Sequence, residues 1–336
     1  MIQENFSLKT LNTFGLDVSA KYFAEISDIN ELKNILKLSN SQTPQLFLGG
    51  GSNILFTKNF DGLVIKLNLK GISEENINEN EVLVTAKAGE NWHQFVQFCL
   101  EKNFGGLENL ALIPGNVGTS PIQNIGAYGT EIKDVFESCK ILNINNFETE
   151  ILNLEQCRFG YRDSIFKQEK GKFVILEVTF RLTRKDHKID IEYGAIKSEL
   201  KNLGIEKPTI QDVSRAVIRI RQSKLPDPKK IGNAGSFFKN PTISFAQFLE
   251  LSEKFANLPH YPIENGEKIP AGWLIEECGW KGKQVRNVAV HHLQALVIIN
   301  KTGKATGKEI FDFSGKIINS VKEKFGIELE REVNVV

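Results

Sequence analysis

From Asn109 to Thr130 the chain runs for 22 residues without a single Asp, Glu, Lys, Arg or His. Pro114, Gly115, Gly118, Pro121, Gly126 and Gly129 interrupt that run, and Asn116, Thr119, Ser120, Gln123 and Asn124 fill it with small polar groups. Breaks this dense defeat both the helical and the two-residue period, so the segment is neither helix nor strand. Two readings stay open. Glycine lets backbone N–H groups approach an anion, and the missing carboxylates remove like-charge repulsion, which suits an anionic cofactor. The plainer reading is a buried, glycine-kinked loop. The turn Gly49-Gly-Gly-Ser-Asn53 makes a similar demand on the backbone.

Leu46-Phe-Leu48 and the run from Gly62 to Leu67 read as short buried strands flanking that turn. The run from Glu81 to Gly89 is a further strand. Trp92, Phe95, Val96, Cys99 and Leu100 then recur at helical spacing up to Gly105-Gly106. The run from Lys172 to Leu182 is another strand. Thr209 and Asp212 have capping-box spacing before Val213, Ala216, Val217 and Ile220, with Arg215, Arg219 and Arg221 off that face. Phe245, Phe248 and Leu249 open a second helix of this half, and Ile310, Phe313, Ile317 and Val321 mark a third that stops at Gly326. The run from Ile327 to Val333 alternates as a strand expected to rejoin an earlier sheet, with Glu328, Glu330 and Glu332 on one face, by default a solvated one. Breaks fall near 70 and near 206, and the class is α+β.

With 42 Lys plus Arg against 41 Asp plus Glu, the net charge of +1 gives no general attraction to nucleic acid. The first ten residues hold no apolar core and no run approaches the roughly 18 apolar residues of a membrane span, so the expectation is a protein neither exported nor embedded. Cys99, Cys139, Cys157 and Cys278 form no C-x-x-C pair, which argues against zinc, iron–sulfur or disulfide frameworks and fits a cytoplasmic protein. No metal site is expected. His291 and His292, adjacent on a strand, would point to opposite faces. Rossmann, Walker A, H-E-x-x-H and G-x-S-x-G patterns are missing.

Two further residues invite chemistry. Ser236, inside Gly232-Asn-Ala-Gly-Ser-Phe-Phe-Lys-Asn-Pro241, could donate its hydroxyl proton to a substrate, but no Ser-His-Asp pattern marks a nucleophile, and a loop serine is the plainer reading. Arg162, in Tyr161-Arg-Asp-Ser-Ile-Phe-Lys167, is either a surface arginine or a fork-shaped carboxylate donor.

Taken together the motifs resemble one family, the UDP-N-acetylenolpyruvoylglucosamine reductases, flavoenzymes of peptidoglycan precursor synthesis. The resemblance runs in order through Asn12-Thr-Phe14, Leu48 to Asn53, Ile113-Pro-Gly115 to Ala127-Tyr-Gly129, Tyr161-Arg-Asp163, Gly232 to Pro241, and Leu329-Glu-Arg-Glu-Val333. Arg331 stands where the family often has proline. The resemblance implies a two-subdomain FAD-binding fold of the vanillyl-alcohol oxidase type plus a separate α+β substrate-binding domain. It divides the chain into 1–70 with 320–336, 71–206, and 207–319. It implies noncovalent FAD held by Gly49, Gly50, Gly51, Ser52, Asn53, Pro114, Gly115, Gly118, Thr119, Ser120, Gln123, Asn124, Gly126, Ala127, Tyr128 and Gly129. It also implies a catalytic set of Arg162, Ser236 and Glu332, with Tyr193, Arg221, Lys224, Asn240 and Gln294 near the substrate. Tyr193 in Glu192-Tyr-Gly194 resembles the branch called type I, in which a tyrosine-bearing loop folds over the UDP substrate.

The implied reaction takes hydride from NADPH through FAD to an enolpyruvyl ether, giving UDP-N-acetylmuramate, in a protein expected to be a monomer without nucleic-acid or membrane partners. Two other functions compete. An FAD-linked oxidase of the same fold acting on a small alcohol or sugar would consume oxygen without NADPH. A non-enzymatic UDP-sugar or nucleotide-binding protein would show no visible absorbance.

Overall fold

The structure, a computed structural model, describes residues 1–38 and 43–336. Contacts divide the chain into two compact units, one of Met1–Phe6, Ala20–Gly50 and Asp61–Ser223, the other of Ser7–Ser19, Gly51–Phe60 and Lys224–Val336. The division passes between Gly50 and Gly51. The fold is α+β, as expected.

The first unit holds two sheets. One orders its strands Gln3–Ser7, Ser19–Ile26, Phe60–Leu67 and Gln45–Leu48, the last two parallel. The other is antiparallel, in the order Thr149–Asn153, Phe136–Asn143, Phe173–Thr183, Glu81–Lys87 and Ile72–Asn76. Alternation along Phe173–Thr183 turns Val178, Phe180 and Leu182 into a core with Trp92, Phe95 and Val96 of the helix Trp92–Glu101. Trp92 packs edge-on to Phe180 with ring centroids 5.8 Å apart. Asn91 caps that helix by accepting from the Gln94 N–H.

The helix Ile210–Lys224, which the sequence places beyond a break near 206, buries Val213, Ala216, Val217 and Ile220 in this same core. The capping box holds: Thr209 N–H donates to Asp212 Oδ2 at 2.9 Å, and Asp212 N–H to Thr209 Oγ1 at 3.2 Å. The hairpin of Phe136–Asn143 and Thr149–Asn153 leads on to Cys157, whose sulfur lies 3.9 Å from that of Cys139. All four cysteines are free thiols.

The second unit wraps the helices Phe245–Lys254, Ala271–Glu277 and Gly307–Phe325 against the antiparallel sheet Gly232–Ser236, Val297–Asn300, Val288–Val290 and Gln284–Val285. The longest helix starts on a Thr306–Glu309 capping box and ends at left-handed Gly326, φ +66°. No described helix is long and apolar enough to cross a membrane.

Two expectations need correction. The alternating run from Ile327 to Val333 buries Ile327, Leu329 and Val333 as its period demands, but it forms only an isolated bridge between Arg331 and Phe238. Its regular strand is Asn334–Val335, parallel to Ile54–Leu55. Glu332 is half-buried, unlike exposed Glu328 and Glu330, because backbone bonds on both sides hold this stretch in. The rings of His291 and His292 lie 4.6 Å apart rather than on opposite faces, because the strand ends at Val290.

Candidate active site

In the first unit the charge-free run, with Glu108 just ahead of it, becomes a chain of single 3-10 turns, Glu108–Leu110, Val117–Thr119 and Pro121–Gln123, laid along the start of the helix Trp92–Glu101, and then, against the expectation of no strand, a two-residue strand Gly126–Ala127 paired with Thr130–Glu131. Trp92 N–H donates to Gly115 O at 3.0 Å, Val117 N–H to Glu90 O at 2.8 Å, and Gly118 N–H to Ala88 O at 3.0 Å. Thr119 and Ser120 spend their hydroxyl protons inside the loop, on Asn116 O and Val117 O. The approach leaves no room for side chains at two glycines. A Cβ on Gly118 would sit 2.4 Å from Ala88 Cβ, and one on Gly50 would sit 2.9 Å from Asn116 Oδ1 and 3.0 Å from Gly115 Cα. Gly49 and Gly50 therefore lie against the 115–119 segment as bare backbone.

Left-handed conformations concentrate here. Leu112, Asn124 and Tyr128 have φ of 59°, 43° and 52°. Each costs about 1–2 kcal/mol. Asn124 is fully buried and donates from Nδ2 to Glu131 Oε2 at 2.9 Å and to Gly160 O at 3.1 Å.

That last bond brings in Arg162. Gly160 and Asp163 bond mutually across a tight hairpin whose tip is Tyr161 and Arg162, the latter at φ +52°. Arg162 Nη2 donates to Gly126 O at 2.8 Å, and Ser164 Oγ to Ile122 O at 2.7 Å. Sequence spacing left Arg162 open between surface and site; the structure holds its hairpin against residues 122–126 at each of these points.

A second cluster forms around Tyr128. Its ring meets that of Tyr193 edge-on, centroids 5.3 Å apart, and the Arg221 guanidinium lies close enough to its hydroxyl to act on it electrostatically. Burial pushes the Tyr128 hydroxyl above its usual pKa and lowers that of the Arg221 guanidinium. Arg221 Nε is buried and has no hydrogen-bond partner among the described residues. An orphaned guanidinium N–H in a folded protein points to an acceptor supplied from outside the chain. Arg219, grouped with it by sequence, pairs instead with Glu199 at 2.6 Å on the surface. Asn109, a residue that sequence reasoning did not single out, donates from Nδ2 to Tyr128 O and Asp190 O, both at 3.1 Å.

In the second unit Ser236 ends the strand Gly232–Ser236, opposite Val297 across an irregularity at Ala234 and Gly235. Gly235 lies at φ +71°, and its N–H donates to the Asn233 side chain at 2.9 Å. Glu332 is brought to the same place by its backbone: Glu332 N–H donates to Phe237 O at 2.8 Å and Lys239 N–H to Glu330 O at 3.0 Å. Asn53 Nδ2 reaches Glu332 O at 3.3 Å. Asn240 Oδ1 accepts from Ala271 N–H at 2.9 Å, and Gly272, next in that helix, faces Gln294 Oε1. Lys224 is exposed.

Asn12-Thr-Phe14 holds this region in place. Asn12 closes its own turn onto Leu8 O and Leu16 O, Thr13 N–H donates to Gly51 O at 3.0 Å, and Asn233 N–H donates to Thr13 O at 3.0 Å.

Residues 20–146 match the FAD binding domain, and residues 227–336 match the C-terminal domain of UDP-N-acetylenolpyruvoylglucosamine reductase. Among proteins bearing that name, the one from Flavobacterium johnsoniae is 52% identical over 339 residues, covering 100% of this chain and 99% of its own. One from Amoebophilus asiaticus is 47% identical, with 100% and 99% covered. The chain belongs to the UDP-N-acetylenolpyruvoylglucosamine reductase family. The crystal structure of the family's protein from Thermus caldophilus has the same fold, with a TM-score of 0.68 at 22% identity over 100% of this chain and 98% of that one.

As a member of this family the chain is an FAD-binding oxidoreductase. The bare-backbone approach of Gly50 to Gly115 and the orphaned Arg221 Nε both fit a ligand that carries anionic oxygens. A methyl group at Gly118 should therefore disturb cofactor retention. Gly118→Ala costs about 1–3 kcal/mol of local strain, and flavin titration should show FAD affinity weakened by roughly tenfold or more; an unchanged dissociation constant would reject this placement of the loop.

Proposed function

We propose that this chain reduces the enolpyruvyl ether of UDP-N-acetyl-3-O-(1-carboxyvinyl)-glucosamine to UDP-N-acetylmuramate at the expense of NADPH, as a cytoplasmic monomer in peptidoglycan precursor synthesis. The observation that carries this reading is the 52% identity to a protein named for that reaction, over the whole length of both chains. When bound, FAD supplies the redox step, accepting hydride from NADPH and passing it to the methylene carbon of the alkene. Gly49 to Asn53 and residues 114–129 are the groups that would hold it.

The chain's own residues then manage charge and protons. Adding hydride at the methylene carbon drives negative charge through the neighbouring carbon into the carboxylate. Arg162, whose hairpin is fixed on residues 122–126, is the cation assigned to that carboxylate. Glu332, in its protonated form, would donate a hydrogen bond to the same oxygens, whereas an ionised carboxylate would repel them. Ser236 Oγ is assigned the proton delivered to the carbon bearing the ether oxygen. A hydroxyl is a weak acid, but the carbanion it meets is a strong base.

For the substrate, the first unit offers the edge-on pair Tyr128 and Tyr193 with the cation Arg221, and the second unit offers the amides of Asn240 and Gln294 beside the helix Ala271–Glu277. Lys224 is the remaining cation proposed for the diphosphate. Lys224→Glu should raise KM for the UDP substrate roughly 10- to 100-fold, the range for losing a charged hydrogen bond, and leave KM for NADPH nearly unchanged. Equal changes in both would remove Lys224 from the substrate site. The reading itself is tested by incubating the enzyme with NADPH and the enolpyruvyl substrate: a product heavier by two hydrogens should appear, one for each NADPH oxidised.

A further inference from the structure

Trp92 and His93, consecutive residues at the start of the helix Trp92–Glu101, grip the segment 110–115 at both ends. Trp92 Nε1 donates to Leu110 O at 2.9 Å and Trp92 N–H to Gly115 O at 3.0 Å. Between them Leu112 N–H donates to His93 Nδ1 at 3.0 Å. Leu112 is held at φ +59°, a conformation costly for a leucine, immediately before Ile113-Pro-Gly115. The Trp92 contacts do not titrate in any ordinary pH range. The His93 contact does, because an imidazole accepts at Nδ1 only while that nitrogen carries no proton.

We propose that His93 is a positioning residue for the cofactor loop: neutral imidazole fixes the left-handed turn at Leu112, and its protonation releases the loop and weakens FAD binding. The inference rests on the assignment of residues 114–129 to FAD. Burial, with the charge of Arg221 adding to it, holds His93 below its ordinary value of 6.5. Arg221 comes from the helix Ile210–Lys224, and Tyr128 beside it, its hydroxyl pushed above its usual pKa by burial, is neutral in this range. Among the described residues no carboxylate acts on His93 to favour the cation. The sign follows. A released His93 protonates near 6.5, while the held imidazole resists protonation, so the loop-holding state is fully favoured above about pH 6.5 and is lost progressively as pH falls below it.

The test measures FAD affinity by quenching of flavin fluorescence between pH 5 and 8 for the wild type, His93→Asn and His93→Leu. Asparagine keeps an acceptor near the Nδ1 position and cannot titrate. Losing one hydrogen bond of this kind is worth roughly three- to tenfold in a dissociation constant. The wild type should therefore weaken by that factor on acidification, beyond any change in His93→Asn. His93→Leu should be weaker by the same factor already at pH 8. Near-wild-type binding by His93→Asn at pH 8 separates loss of the acceptor from a general folding defect. If wild type and His93→Asn share one pH profile, or His93→Leu binds as tightly as wild type at pH 8, the inference fails while the cofactor assignment stands. A wild-type protein that takes up no FAD at any pH overturns both.

Discussion

Ser236→Ala is expected to slow reoxidation of the reduced flavin by the enolpyruvyl substrate by about 10²- to 10⁴-fold, the range for loss of a general acid, and to leave flavin reduction by NADPH within a factor of a few. The bonds that shape this corner are backbone ones, Phe237 N–H to Leu296 O and Glu332 N–H to Phe237 O, both 2.8 Å. Removing the hydroxyl oxygen therefore leaves the strand end in place. Rapid mixing under anaerobic conditions separates the two half-reactions. Equal loss in both would mean that the hydroxyl serves cofactor or fold, and Ser236 would lose its role as proton donor.

Arg162→Lys is the second large effect, a loss of roughly 10²–10³ in the substrate half-reaction, as for removal of one preorganised donor to developing charge. Lysine keeps the charge but is a single flexible point donor. Arg162 already commits Nη2 to Gly126 O at 2.8 Å, and a lysine ammonium cannot keep that anchor and face a carboxylate with a planar fork. FAD affinity and the rate of reduction by NADPH serve as controls, since Gly126 belongs to the cofactor loop. A lysine variant with normal turnover would show that charge alone suffices and that the fixed hairpin is incidental.

The part of the fold set by local chemistry was legible in the sequence. The Thr209–Asp212 box, the helix from Trp92 ended before Gly105, and the stop at Gly326 all follow from residues within a turn of the structure they control. The irregular charge-free run was legible for the same reason. What escaped was decided by partners far along the chain. Arg162 is anchored through contacts 36 and 42 residues away, which no spacing rule reaches. Arg221 looked like one of several arginines off the apolar face, yet only it is pulled inward, next to Tyr128. Along the last residues the alternation correctly separated Ile327 and Leu329 from Glu328 and Glu330, but the pairing of Asn334–Val335 with Ile54–Leu55 is two residues long, too short to leave a periodic trace. The motif Asn12-Thr-Phe14 showed itself only by resemblance, and its physical role is to hold Gly51 and Asn233 by main-chain bonds.

The most direct measurement follows the visible spectrum of the purified protein without oxygen. The flavin band should be present at the outset, disappear on adding one equivalent of NADPH, and return on adding one equivalent of the enolpyruvyl UDP-sugar. A protein with no flavin band after incubation with FAD, or one whose bleached flavin returns with oxygen but never with that substrate, would contradict the account.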